Sequence, residues 1–226
     1  SINAITRSGS NQFKSAAWFF FRNESMAGKS PVPVQVPGSQ DIFQRTRLQH
    51  FFNQTTGVWA SGPAIKNKLF YFLLAEIQKE YQPQPYAFSE YRGNSSLQQI
   101  NALADTLRNR YNYEPGTFLH TANELNAKRF IVKFDWNPDL TNKFTLSYRY
   151  NNAGRVAPHQ QNSSEIIRFS NNRFRLLSQI NSASLEWRKY FKRTANNRLL
   201  LTYNNEITDR RITGQPFPAL NILDSD

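Results

Sequence analysis

Hydrophobic and polar side chains alternate along much of this chain. Within 143–152, Phe144, Leu146, Tyr148 and Tyr150 fall on one side, and Lys143, Thr145, Ser147, Arg149 and Asn151 on the other. Within 126–137, Phe130, Val132, Phe134 and Trp136 oppose Arg129, Lys133 and Asp135. Within 198–211, Leu199, Leu201 and Tyr203 oppose Arg198, Thr202, Asn204 and Glu206. Segment 68–81 sets Leu69, Tyr71, Leu73, Ala75 and Ile77 against Glu76, Gln78 and Glu80, although Phe70, Phe72 and Leu74 blur its second face. A period of two places each set on one side of a sheet. Segments 11–23, 47–61 and 174–191 carry similar aromatic and β-branched content between turn-forming residues, so seven strands are predicted. Several are longer than the ~5–6 residues usual in globular sheets, and long enough for a tilted crossing of a bilayer.

The connections sharpen this. Short links rich in Gly, Pro, Asn and Asp follow the second, fourth and sixth strands, at 62–67, 138–142 and 192–197. Long links, 24–46, 82–125 and 153–173, follow the first, third and fifth, and the tail from Ile212 follows the seventh. Strict alternation of tight turns and extended loops is the signature of an up-and-down barrel. The predicted fold is all-β: an antiparallel up-and-down transmembrane β-barrel segment with a short helix in one long outer loop. That helix is read from Leu97, Ile100, Leu103, Ala104 and Leu107 on one face, a Ser95 or Ser96 cap, and Glu114-Pro115-Gly116 as the stop. Aromatic residues are expected in two belts. Trp59, Phe70, Trp136, Phe144, Tyr190 and Phe191 lie near the short turns, and Phe19, Phe21, Phe51, Phe52, Tyr81, Phe130 and Tyr150 near the long loops.

In a barrel the two faces have opposite solvents. Phe130, Val132, Phe134, Trp136, Phe144, Leu146, Tyr148, Leu199 and Leu201 are the predicted lipid-facing residues. Arg129, Lys133, Asp135, Arg149, Glu186, Arg188, Arg198 and Glu206 are predicted to face a hydrated lumen. The lumenal cations are expected to pair with Glu76, Asp135, Glu186 and Glu206 on neighbouring strands.

Composition removes several alternatives. Without cysteine there is no disulfide framework, thiolate metal site or cysteine nucleophile. The longest apolar run, 69–75, is far short of the roughly 20 residues of a membrane-spanning helix. The net charge of +12 invites a nucleic-acid reading. Yet the basic residues are spread along the chain, and the aromatics share a face with Leu and Val, so nucleic acid is not an expected partner. His50, His120 and His159 are isolated and lack metal-ligand spacing. No phosphate loop, nucleophile elbow or converging acid–base pair is present. Neither a cofactor nor an enzymatic activity is expected.

Two stretches carry a family likeness. Ser1-Ile2-Asn3-Ala4-Ile5-Thr6-Arg7-Ser8-Gly9-Ser10-Asn11-Gln12-Phe13, followed by an aromatic strand ending in Arg22-Asn23, resembles the plug-to-barrel junction of TonB-dependent outer-membrane receptors. It is most similar to the Oar-like subgroup with a carboxypeptidase-regulatory-like domain, common in Bacteroidota, although Ser15 stands where that pattern has Gly. Gly57-Val58-Trp59-Ala60-Ser61-Gly62-Pro63-Ala64-Ile65-Lys66-Asn67 looks like the family's turn between its second and third barrel strands. The resemblance implies that 1–10 is the end of a plug and 11–226 the first part of a barrel of about 22 strands. On that reading the signal peptide, the TonB-contacting segment and most of the plug lie elsewhere. It further implies a bacterial outer-membrane location, lipid contact, and energy-coupled movement of a scarce substrate: peptide, protein, glycan or siderophore. The TonB–ExbB–ExbD complex would act through the plug, and the family leaves room for a surface lipoprotein partner. The alternative is an outer-membrane surface binding or adhesion protein without transport. Seven strands alone leave two unpaired edges, so the isolated chain is expected not to insert stably.

Overall fold

The computed structural model describes residues 7–29, 34–35, 43–45, 47, 49–83, 88, 91–119, 122–158, 162–191, 195–212 and 214–216. Residues 1–6 of the predicted plug end, His120 and His159 lie outside the described residues. Along the chain come β1 (Lys14–Asn23), β2 (Val34–Gln35), β3 (Phe43–Gln44), β4 (Phe52–Ile65) and β5 (Leu69–Pro83), then helix α1 (Leu97–Tyr111). β6 (Ala122–Trp136), β7 (Asn142–Pro158), β8 (Arg173–Phe191) and β9 (Ala195–Ile212) complete the order. β2 and β3 form a small ribbon of their own inside the first long loop. The other seven strands form one antiparallel sheet in the order β1-β4-β5-β6-β7-β8-β9, a meander with every strand beside its sequence neighbour in the sheet. The sheet is open, and β1 and β9 are its two edges.

Strand positions agree with the alternation, and the differences have local causes. Strand β1 begins at Lys14, not at 11, because Asn11 serves a turn: its side-chain Oδ1 accepts from the Asn67 backbone N–H at 2.8 Å. Asn67 itself holds φ of 65°, a conformation Asn tolerates better than most residues. The β4–β5 turn is accordingly only 66–68, and 62–65 belongs to β4. Pro63 is admissible there because β1 stops pairing at Ser61, so no ladder on that side needs its missing N–H. Strands β6 and β7 extend towards the long loops beyond the predicted 126 and 152. There the ladder continues through Glu124↔Val156 without hydrophobic alternation, since backbone pairing needs none.

The short turn between β6 and β7 is held by Asp139. Its carboxylate accepts from the Thr141 hydroxyl and backbone N–H at 2.7 Å each and from the Asn142 amide at 2.8 Å. These bonds, the Thr141 hydroxyl foremost, hold the carboxyl well below the usual carboxylate range.

Helix α1 follows its predicted face, burying Ile100, Ala104 and Leu107. Ser96 caps it in a reciprocal box with Gln99. It ends at Asn112 in the left-handed conformation, ahead of the Glu-Pro-Gly expected to stop it.

The chain exposes 16403 Å², whereas a compact monomer of 26.3 kDa exposes roughly 10,600 Å². Uncovered sheet surface contributes to the excess. Leu146, Leu199, Leu201 and Tyr203 are all about half exposed or more, and among the described residues no second layer covers their face.

Candidate functional site

Register fixes which residues share a face, because directly opposed residues of an antiparallel pair point the same way. One row runs Leu69–Trp136–Phe144–Trp187–Leu199, the next Tyr71–Phe134–Leu146–Leu185–Leu201, and the next Leu73–Val132–Tyr148–Ala183–Tyr203. All nine residues predicted to meet lipid lie on this apolar face. The intervening rows form the other face. One runs Phe70–Asp135–Thr145–Glu186–Leu200, and others hold Lys133, Arg149, and Arg129 with Glu206. Arg188 and Arg198 stand opposite one another on the same side. All eight predicted lumenal residues therefore share the polar face.

The apolar face ends in rings with polar tips. Near the short turns, Trp136, Phe144 and Trp187 stack with centroid separations of 5.2 and 5.9 Å. The Trp187 indole N–H donates to Asn142 Oδ1 at 3.1 Å, away from the apolar rows. Towards the long loops, the Tyr148 hydroxyl donates to Asn181 at 2.8 Å, and Asn152 donates to the Tyr150 hydroxyl at 3.0 Å. Asn142 and Asn152 thus bracket the band on one strand. They are about 34 Å apart at ~3.4 Å per residue, or about 26 Å in height at a tilt near 40°. The two expected aromatic belts need one correction: Trp59, Phe70 and Tyr190 sit on the polar face, and Trp187 takes their place in the short-turn row.

Polar-face charges are largely neutralised on the spot. Arg129 meets Glu76 at 2.5 Å and Gln78 at 3.0 Å. Glu186 is held by Arg188 and, at 2.9 Å, by Arg198. Lys133 stands 3.7 Å from Asp135 Oδ1, the same oxygen that accepts from the Thr145 hydroxyl at 2.8 Å. Of the expected partners only Glu206 forms no ion pair among the described residues, and Arg149 forms none either. Between the charges run hydroxyl and amide contacts, Ser147 with Ser184 and Ser182 with Asn204.

Lys133 is 8% exposed, unusual for a lysine on a sheet face. The cover is the N-terminal segment 7–10. The Lys133 ammonium donates to Ser8 Oγ at 2.7 Å, and the Arg7 guanidinium lies 5.2 Å over the Trp59 ring. Gly9 lies so close to the wall that a Cβ there would stand 2.6 Å from the Tyr71 carbonyl oxygen and 2.9 Å from that of Gly62. Phe70, Phe72 and Leu74, which blurred the alternation of β5, belong to this part of the polar face. Phe72 is buried there and stacks on Trp59 at 6.0 Å. The double-sided apolar pattern was the sequence signal that something covers this face.

At the long-loop end, the β5–β6 and β7–β8 connections are joined. Arg92 N–H donates to Ser164 O at 2.7 Å, Ser170 N–H to Thr117 O at 2.7 Å and Asn162 to Phe118 O at 2.8 Å. Phe118 packs edge-on to Phe88 and Phe169. Gly116, at φ 78°, lies where a Cβ would meet Ser170 Oγ at 2.2 Å. Within this assembly Arg108 binds Glu114 and Asp105. The hydrogen bonds from Arg108 hold the Glu114 carboxyl below its ordinary value. Sequence reasoning missed the docking of these loops, because its backbone bonds and scattered ring contacts follow no periodic pattern.

Neither a protein-family model, a curated protein nor a solved structure matches the chain.

Among the described residues no three His, Cys, Asp or Glu side chains converge on a metal-sized site. His50 instead lies 3.2 Å from Glu24 at the surface. What the arrangement offers chemically is a wall: one face suited to hydrocarbon, the other to water and hydrogen-bonding solutes, with a segment of the same chain resting on the wet side.

Proposed function

We propose that this chain is part of the wall of an outer-membrane β-barrel, and that the barrel is a TonB-dependent receptor that moves a scarce substrate across the outer membrane under energy coupling. The carrying observation is the two-faced meander. Its uncovered apolar band is bounded on both sides by aromatic rings tipped with hydrogen-bonding groups. Such a face has no use in water, where its exposed Leu, Phe and Tyr would cost free energy, and it matches hydrocarbon bounded by two interfaces. Antiparallel pairing satisfies the backbone throughout the sheet, as hydrocarbon requires, and further strands would close the edges at β1 and β9.

In this reading Arg129, Lys133, Asp135, Glu186, Arg188 and Arg198 line the passage as neutralised pairs. They keep it wet without presenting one dominant charge. Segment 7–10 rests against that lining and holds the chain leading into β1 on the inner side of the wall. The joined loops at the far end form the first surface an arriving substrate meets. Pulling by the energising complex acts on chain N-terminal to this segment. The family assignment rests on the residue likeness at 1–13 and 57–67, which the docked segment 7–10 fits.

The test is genetic. A strain lacking this protein and one lacking the energising complex are expected to fail on the same growth substrate, with no further loss in the double deletion. Retention of the protein's role without the energising complex favours surface adhesion instead.

A further inference from the structure

The apolar face carries a second feature beyond its band. Where the band gives way towards the long loops, a hollow of about 250 Å³ opens over β5, β6, β7 and β8. Gly154 lines it, with the Leu177 side chain leaning over it from β8: a Cβ at Gly154 would stand 3.2 Å from Leu177 Cδ2. Lys79, Lys128 and Arg175 stand around it, with the amides of Asn126 and Asn152 at its floor. Register places Lys79 in the same row as Gly154, Lys128 one row nearer the band and Arg175 one row farther. At ~4.8 Å between strands and ~3.4 Å per residue, all three Cα atoms lie about 8–10 Å from Gly154. Side chains of this length reach a common point above it.

Neighbouring charges are matched. Arg211 pairs with Asp209 at 2.5 Å, and Glu124 faces Arg173 at 4.0 Å. Among the described residues, Lys79, Lys128 and Arg175 form no ion pair. Three cations and two amides, against the single carboxylate of Glu124, suit a tetrahedral oxyanion. Apolar side chains complete the lining: Ile77 one row nearer the band, Leu177 in the row of Gly154 and Val156 one row farther. An occupant must therefore combine an anionic group with apolar surface, and the apolar band begins beside the hollow.

We infer that this hollow binds the phosphate of a phosphorylated lipid on the long-loop side of the membrane, its acyl chains lying along the apolar band. The inference rests on the membrane reading above and adds a ligand class to it. Basic clusters at a membrane surface recognise anionic headgroups by charge. The hollow adds shape to that charge.

The experiment uses the full-length protein in uncharged detergent, titrated with a phosphorylated glycolipid, its dephosphorylated form and inorganic phosphate, with bound lipid counted by native mass spectrometry. The phosphorylated lipid is expected to bind at least tenfold more tightly than the dephosphorylated one. The triple variant Lys79→Gln, Lys128→Gln, Arg175→Gln is expected to lose that preference. Gly154→Leu, which fills the hollow without changing charge, is expected to lose it too. Glu124→Gln removes the one acidic side chain in the lining and is expected to tighten binding, which separates a charge effect from misfolding. Equal binding of both lipids, or an unchanged triple variant, overturns the site. Inorganic phosphate binding as tightly as the lipid makes it an anion site and overturns the lipid. A protein that sediments with outer membranes yet shows no phosphate preference sinks this inference alone. A protein absent from membranes sinks the membrane reading with it.

Discussion

Leu201 and Thr202 are adjacent on β9, at the same depth along the strand and on opposite faces. Leu201 is 57% exposed and lies in the row of Leu146, one of the two rows nearest the middle of the apolar band. If that row faces hydrocarbon, Leu201→Arg places a cation near the bilayer midplane. Such substitutions on the lipid face of barrels cost about 2–4 kcal/mol at the midplane, less towards the interfaces. Beside the middle of the band, a cost of about 2–3 kcal/mol is expected, or roughly 30–150-fold in the folding equilibrium. Thr202→Arg adds the same charge to the wet face, where it should cost no more than about 0.5 kcal/mol. The assay is urea unfolding of the full-length protein in lipid vesicles, read by loss of heat-modifiable gel mobility, with outer-membrane yield as a second readout. If the apolar face meets water, Leu201→Arg becomes an ordinary surface change. Equal tolerance of the two variants refutes the assignment of faces, and greater damage from Thr202→Arg reverses it.

Other consequences are as direct. Lys133→Met leaves Asp135 without its cation in a place where one carboxylate oxygen is already buried without a partner. Breaking a buried pair this way costs about 3–5 kcal/mol, and Asp135→Asn in the same chain should recover much of it in the same unfolding assay. Gly9→Ala drives a Cβ into backbone carbonyls that cannot rotate away. Segment 7–10 should lift from the wall, so that a cysteine placed at Ser8 labels faster with a water-soluble maleimide; unchanged labelling contradicts the docking. Ser96→Ala removes the cap of α1 at a cost of about 1 kcal/mol, seen as faster amide exchange over its first turn. Asp139 has a depressed carboxyl pKa, so its contribution to the β6–β7 turn is complete above the ordinary carboxylate range and lost as pH falls through the lower folded value. Asp139→Ala should therefore speed exchange at Thr141 and Asn142 at neutral pH, with the difference from the native chain vanishing in strong acid.

How much could be read in advance depended on the kind of interaction. Faces were legible because a period of two is geometric: Phe130 through Trp136 and Phe144 through Tyr148 fall where alternation puts them. Topology followed from loop lengths, since tight turns force neighbouring strands together. The helix showed through its 3.6-residue stripe and serine cap. Strand ends did not, because pairing beyond the band is backbone-driven and leaves no hydrophobic trace at 122–125 or 153–158. Trp187 escaped notice because its row becomes visible only once the β7–β8 register is set. Nothing local in Lys133 distinguishes it from Lys143 on the next strand; its burial comes from Ser8, far away in sequence. The hollow at Gly154 depends on four strands at once.

The central claim is that even-numbered side chains from Phe144 to Tyr150 meet lipid and odd-numbered ones from Lys143 to Asn151 meet water. Because the chain has no cysteine, single cysteines can be placed in turn at 143–151 of the full-length protein, spin-labelled, and read in membranes for collision with oxygen and with a water-soluble nickel chelate. Oxygen access should peak at 144, 146, 148 and 150, and nickel access at 143, 145, 147, 149 and 151. Even positions shielded from both reagents, as in a dry protein core, would contradict it.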